Sequence, residues 1–228
     1  MQRSSLRRRR LSRWTLAAVL LPAAAWSAEA RAEKPNRRGG QVEGMIGATA
    51  CIPGRAPCRH DDSFIDGSTL PSFGAGAALA ARPVRWFMLG VIYRYGMFNP
   101  SYEVSSGTNY RWAAQHTVGF LMRPILPVWR FDFGLNLAPS FARQVFRLDT
   151  SDRDRDFSQG FAMLVGPNID VFVTERFFIG AGADFIFNTQ KKVCSVRGGD
   201  RSCSTSPERR VAPTHQVLFG LRLGGTFG

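Results

Sequence analysis

The three histidines are the first residues to consider as catalytic groups, because imidazole can act as a general base near neutral pH. Hydrolysis of a lipid ester by such a base would need a serine on the same strand face and a nearby acid. His116 is instead followed by Thr117 and Val118. His60 lies in a polar loop, and His116 and His215 are predicted on opposite sides of the fold. The sequence therefore predicts rim histidines and no catalytic residue.

Alternating acids at Asp152, Asp154 and Asp156 could start a calcium-binding loop. An EF-hand needs glycine at the next position and glutamate at position twelve, where this chain has Phe157 and Met163. The interleaved arginines also neutralise the acids. A solvated charged loop is the favoured interpretation, and neither a metal site nor a cofactor is predicted.

The four cysteines form two local pairs, Cys51 with Cys58 and Cys194 with Cys203. In an exported protein an even count with this spacing predicts two disulfides, although four cysteines allow three connectivities. Local pairing is the favoured connectivity. A zinc site would need C-x-x-C spacing or nearby histidines, and neither is well formed.

Residues 1–30 have the pattern of a secretory signal peptide. Five arginines between Arg7 and Arg13 form a basic region, residues 14–25 are apolar, and Ala28-Glu29-Ala30 fits a cleavage site. The apolar stretch is too short to span a bilayer as a helix. We expect export by the general secretory route, followed by a polar periplasmic leader at residues 31–40.

The net charge of the chain is +13, and residues 1–30 contribute +5 of it from six arginines and one glutamate, so +8 remains. A basic protein favours acidic surfaces such as lipid phosphates. Nucleic acid is not indicated, because an exported chain meets little of it and no binding motif occurs. No later segment reaches the roughly 18 consecutive apolar residues of a membrane helix, so any membrane would be crossed by strands.

Eight segments alternate between apolar and small or polar residues, which is the period of a β-strand. They are predicted at residues 41–49, 72–81, 86–97, 112–122, 128–141, 158–173, 177–188 and 215–228. Pro167 interrupts the sixth segment and predicts a bulge there. The connections alternate between long loops and short turns, with turns at residues 82–85, 123–127 and 174–176. This pattern predicts an all-β fold at residues 41–228, an eight-stranded antiparallel up-and-down transmembrane β-barrel.

A soluble lipocalin-like barrel would also show eight alternating strands, with its apolar face inward. Three features favour the membrane barrel. No strand contains lysine, and aromatic residues concentrate at both ends of the strands, as expected at two membrane interfaces. The charges predicted inside the barrel nearly balance: Glu43, Asp132, Asp170 and Asp184 against Arg94, Arg130 and Arg222. We expect these charges to pair, Arg130 with Asp170 and Arg222 with Glu43, because an eight-stranded interior is filled by side chains.

The final strand places Val217, Phe219, Leu221, Leu223 and Phe227 on one face, with one glycine after Phe227. It resembles the closing strand of bacterial outer-membrane barrels, whose terminal aromatic strand is read by the insertion machinery. With the strand count and the loop asymmetry, the chain resembles the small barrels of the OmpA transmembrane-domain and OmpX type. The resemblance is architectural and rests on no family motif. It implies a barrel in the outer membrane of a Gram-negative cell envelope, assembled by the insertion machinery. Unlike full-length OmpA proteins, the chain is expected to have no further periplasmic domain after the last strand.

The last long loop is rich in basic residues that could contact lipopolysaccharide phosphates: Lys191, Lys192, Arg197, Arg201, Arg209 and Arg210. A solvated loop explains them equally well. We expect a monomer with a structural or surface-interaction role through its long external loops, and neither a diffusion pore nor an enzyme. Two alternatives remain open: a periplasmic or secreted lipocalin-like carrier of an apolar ligand, and a lipid A-modifying enzyme.

Overall fold

The alternating residues form β-strands throughout the computed structural model, which describes residues 35–52, 59–62, 65–104, 110–149, 153–190, 192–205 and 214–228. The predicted signal peptide and the first four residues of the predicted leader lie outside these described residues. The described residues belong to one unit, Lys34–Gly228. Within them, no helix is long and apolar enough to cross a membrane.

The strands follow one another along the chain with short or long connections. They are β1 (Gly39–Cys51), β2 (Arg59–Asp62), β3 (Ile65–Leu70), β4 (Ser72–Val84), β5 (Phe87–Val104), β6 (Tyr110–Val128), β7 (Phe131–Leu148), β8 (Arg155–Phe172), β9 (Phe177–Asn188), β10 (Val193–Arg197), β11 (Asp200–Ser204) and β12 (Gln216–Phe227).

Eight of these strands form a closed antiparallel sheet in the order β1, β4, β5, β6, β7, β8, β9 and β12. The first and last strands close it, with a register that runs from Gly40 opposite Phe227 to Cys51 opposite Gln216. Closure leaves no unpaired sheet edge around the barrel. The predicted eight-stranded antiparallel up-and-down barrel is confirmed.

Side chains alternate between the two faces of the barrel wall along each strand, as the strand period requires. On β12, Phe219, Leu221 and Leu223 are 49%, 64% and 51% exposed, whereas Leu218 and Arg222 on the opposite face are buried. The outer wall is therefore apolar and the inner wall carries most of the polar groups.

The first two short turns lie further along the chain than predicted, whereas the third agrees with its prediction to within one residue. They occupy residues 85–86, 129–130 and 173–176, at what we call the turn end of the barrel; the other end is the loop end. Pro83, Pro124 and Pro127 lie within β4 and β6 instead of forming turns. The β4–β5 ladder absorbs Pro83 by a register shift between Ala81 and Val84, because proline cannot donate a backbone hydrogen bond.

The predicted bulge at Pro167 is wrong, because β8 keeps one register with β7 along its whole length. The ladder with β9 omits only Gly166 and Pro167 and then continues in the same register. Pro167 therefore interrupts hydrogen bonding locally without inserting a residue.

Strands also extend into the segments that were predicted as loops. At the loop end β2 pairs with β3, which pairs with the end of β5. The hairpin of β10 and β11 continues the sheet from β8. The wall is thus taller on these sides than the sequence pattern indicated.

Candidate functional site

The centre of the barrel interior is a carboxylate, Glu43 on β1, held between two arginines. Arg123 donates to both oxygens of Glu43 at 2.8 and 2.6 Å, and Arg222 donates to one of them at 2.7 Å. All three side chains are buried. The predicted pairing of Arg222 with Glu43 is present. Arg222 also lies 3.4 Å from Asp170.

A second ion pair joins opposite walls, with Arg94 Nε 2.6 Å from Asp184. Asn136 connects Arg123 to this pair, because it accepts from Arg123 at 2.5 Å and donates to Asp184 at 2.8 Å. Glycines on the inner wall make room for these long side chains. A Cβ at Gly76 would lie only 2.6 Å from the Arg94 side chain.

At the turn end, Asp132 is bound by Arg82 at 2.5 Å and by Arg37 at 2.9 Å. Arg37 precedes β1, and its side chain also donates to the carbonyl of Trp129 and lies over the Phe172 ring. Residues 36–37 therefore reach across the base of the barrel. Asn36 adds backbone and side-chain hydrogen bonds to the carbonyls at positions 175 and 228.

The loop-end half of the interior contains a network of neutral amides. Gln144 donates to Gln115 at 2.5 Å and to the carbonyl of Thr214 at 2.7 Å, and accepts from the amide of Thr214. Asn188 donates to the same two acceptors, Gln115 and Thr214. Gln216 and Thr49 form a further hydrogen bond at 3.0 Å.

The structure places six of the seven predicted interior charges inside the barrel: Glu43, Arg94, Asp132, Asp170, Asp184 and Arg222. Arg130 is a correction. It lies half-exposed in the turn between β6 and β7, with its guanidinium against the Trp129 ring. Asp170 pairs with Arg222 instead of Arg130. The reason is the shifted turn, which starts β7 only at Phe131.

Sequence reasoning missed three interior cations: Arg37, Arg82 and Arg123. It assigned Arg37 to a polar leader and the other two to turns beside prolines. The available signal was strand length. Extending β4 and β6 past their prolines would have placed Arg82 and Arg123 on the inner face by alternation.

The cysteines fit the disulfide prediction where they are described. Cys194 and Cys203 are opposite each other in the β10–β11 hairpin and form a disulfide. Cys51 is also disulfide-bonded, and Cys58 lies outside the described residues.

Only three of the six basic residues predicted to contact lipopolysaccharide are among the described residues. Lys191, Arg209 and Arg210 lie outside the described residues. Lys192 is exposed. Arg197 pairs with Asp156 at 2.8 Å, and Arg201 packs over Phe157.

His116 and His215 sit at the loop end on the outer wall. The Nδ1 atom of His116 is 2.8 Å from the Tyr93 hydroxyl, and that of His215 accepts from the amide of Asn188 at 3.1 Å. The side chain of His60 lies outside the described part. Among the described residues no cluster of histidine, cysteine, aspartate or glutamate has the geometry of a metal site.

Solved structures with the same architecture are outer-membrane proteins. OprG from Pseudomonas aeruginosa superposes with a TM-score of 0.56 at 7% identity, over 83% of this chain and 97% of that one. A major outer membrane protein from Thermus thermophilus gives 0.57 at 11% identity, over 84% and 100%. No protein-family model matches the sequence, and no curated protein matches it. The chain thus has the fold of small outer-membrane β-barrels, which confirms the resemblance at the level of fold.

Proposed function

We propose that this protein is a small outer-membrane β-barrel with a structural or surface-interaction role carried by its external loops. The observation that carries the proposal is the arrangement of side chains on the barrel wall, which is the inverse of that in a soluble protein. Apolar side chains such as Leu79, Phe120 and Leu221 are at least half exposed on the outside. Glu43 and Arg222 are buried inside. Exposed apolar surface of this extent is stable in lipid and costly in water.

The same inversion argues against a soluble carrier of apolar ligands. A lipocalin-like barrel needs an apolar lumen and a polar exterior. Here the lumen holds ion pairs and amides, including the salt bridge of Arg94 with Asp184. An apolar ligand would have to displace these groups and leave charges unpaired in a dry interior.

A filled lumen supports the proposal that the barrel is no diffusion pore. Arg82, Arg94, Arg123 and Arg222 are among the largest fully buried side chains, and each lies in the barrel interior. At the turn end, the Arg37 side chain is largely buried beside Asp132. An eight-stranded barrel has room for such side chains and little more.

The remaining assignments follow from this location. We infer a signal peptide at residues 1–30, a leader at 31–40 and a barrel domain at 41–228. The insertion machinery would recognise β12 through Phe227, and both termini of the barrel would face the periplasm. Basic residues of the last loop, such as Lys192 and Arg197, would meet lipopolysaccharide phosphates. We propose a monomer without enzymatic activity.

Gel mobility of the cell-envelope fraction tests the proposal. The protein is expressed with its native N-terminus, membranes are separated, and samples are compared with and without boiling. We expect a band in the outer-membrane fraction that migrates faster unboiled, because a closed barrel resists unfolding by the detergent.

A soluble periplasmic band whose mobility is unchanged by boiling would reject the membrane assignment. Ion-conducting steps in a planar bilayer containing the purified protein would reject the filled lumen. The first result tests where the protein is located, and the second tests whether it conducts ions.

A further inference from the structure

Four arginines share one region of the outer wall near the loop end, and we call this region the arginine face: Arg143, Arg147, Arg155 and Arg201. Arg147 lies directly opposite Arg155 in the β7–β8 ladder. Val196 on β10 lies opposite Arg155 on β8 and also opposite Arg201 on β11. Cross-strand partners project from the same side of a sheet, so these side chains are neighbours on the outside.

The pairing of Arg147 with Arg155 is unfavourable by itself, because like charges directly opposite in a sheet repel. The two acids that flank Arg155 in the sequence are engaged elsewhere. Asp156 binds Arg197 and the Tyr110 hydroxyl, and Asp154 accepts from the amide of Gly198. Among the described residues, no ion pair involves any arginine of the arginine face. The buried Nε of Arg155 has no hydrogen-bond partner there either.

Aromatic rings hold these guanidinium groups in place. Arg143 and Arg201 both pack over Phe157, at 5.4 and 5.1 Å from its centroid, and Arg147 packs over Trp112 at 5.3 Å. A stacked guanidinium still presents its N–H groups at the edge, where they can bind phosphate oxygens. Arg147 and Trp112 also line an open groove of about 400 Å³.

The arginine face begins where the apolar wall ends. Phe141 and Phe161 are opposite each other and more than half exposed. Arg143 follows Phe141 on the same face, about 7 Å further along the strand. In the described parts of β1, β4, β9 and β12, no arginine occupies the corresponding height. The positive charge of these arginines is therefore concentrated on one side of the barrel, which suits a ligand that binds at one place.

We propose that the arginine face binds the phosphate groups of an outer-leaflet lipid, with Arg147 and Arg155 sharing one phosphate. The proposal rests on the proposed function, since it needs the loop end to lie at the outer surface. Phosphate is the matching ligand because its several oxygens can accept from two guanidinium groups at once. A bound anion would also relieve the repulsion between Arg147 and Arg155.

The test uses the full protein, folded in nonionic detergent, with bis-phosphorylated lipid A, dephosphorylated lipid A and inorganic phosphate as probes. Bound lipid is counted by native mass spectrometry. We expect the wild type to retain the phosphorylated form at least about tenfold more strongly than the dephosphorylated form. The double variant R147Q/R155Q should lose that preference. The matched control R85Q/R176Q removes two exposed arginines at the turn end and should keep it.

Stability without lipid gives a second readout. R147Q/R155Q should unfold at the same or higher urea concentration than the wild type, because the substitution removes a repulsion. A purely structural role would lower the midpoint. Equal retention of both lipid forms, an equal loss in R85Q/R176Q, or displacement of lipid A by equimolar inorganic phosphate would overturn the proposal. Unboiled gel mobility is checked in the same samples, since failure there rejects the membrane barrel itself.

Discussion

The two halves of the barrel interior are filled in different chemical ways. The half nearer the turn end contains ion pairs centred on Glu43, Asp184 and Asp132. The half nearer the loop end contains neutral amides and hydroxyls around Gln144 and Asn188. Both halves are buried and extensively hydrogen-bonded. They differ in what remains when one partner is removed.

That difference determines how strictly each half specifies the fold. An arginine deprived of its carboxylate stays charged in a dry interior, which is costly and has no local remedy. An amide deprived of its partner can often turn toward another donor or acceptor nearby. We infer that the charged half fixes the strand register, and that the amide half tolerates substitution more readily.

The largest effect is expected for Glu43→Gln, which removes the carboxylate shared by Arg123 and Arg222. The free energy of unfolding should fall by about 3–5 kcal/mol, as for other broken buried ion pairs. Urea titration of the protein in lipid vesicles, followed by tryptophan fluorescence, measures the change. Glu175→Gln removes a carboxylate in an exposed turn segment and serves as the control.

Coupling between partners sharpens the same measurement. The double variant E43Q/R123Q should lose less stability than the sum of the two single variants, because it removes both members of the pair. Additive losses would mean that Glu43 and Arg123 do not stabilise each other. The inference that the charged half fixes the strand register would then fail.

A smaller effect is expected for Gln144→Ala in the amide half. Gln144 makes three hydrogen bonds to Gln115 and Thr214, and its loss should cost about 1–3 kcal/mol. The same urea titration applies. Gln159→Ala is the matched control, because Gln159 lies exposed at a similar height on β8. A cost for Gln144→Ala equal to that of Glu43→Gln would erase the contrast between the halves.

The strand pattern of the sequence was sufficient to predict the barrel, because alternation is a local property that lipid and lumen impose on every strand. It also placed Arg222 and Glu43 on neighbouring strands, where their pairing could be anticipated. The positions of the two turns that follow the prolines were not predictable in this way. Proline is common in turns, and Pro83 and Pro124 therefore suggested strand ends that the closed sheet passes through.

Contacts across the lumen were beyond local reasoning. Arg94 meets Asp184 and Arg123 meets Glu43 from strands that are not neighbours. Such pairs depend on the stagger of all eight strands, which fixes the height of each residue in the lumen. A shift of one turn by a few residues was enough to exchange Arg130 for Arg123 as an interior cation.

The smallest effect is expected at the mouth of the charged half, for Arg37→Ala. Arg37 shares Asp132 with the more deeply buried Arg82, so its loss leaves that carboxylate paired and should cost about 1 kcal/mol. The neighbouring Arg38→Ala is the control, because Arg38 is exposed.

The salt dependence of these costs distinguishes the mouth of the barrel from its interior. The Arg37 side chain is 12% exposed and that of Glu43 is 3% exposed. Salt screens charges that contact water more than it screens buried pairs, so 1 M salt should reduce the cost of Arg37→Ala more than that of Glu43→Gln. Equal salt dependence of both variants would place Glu43 in contact with water, and the dry charged half would have to be abandoned.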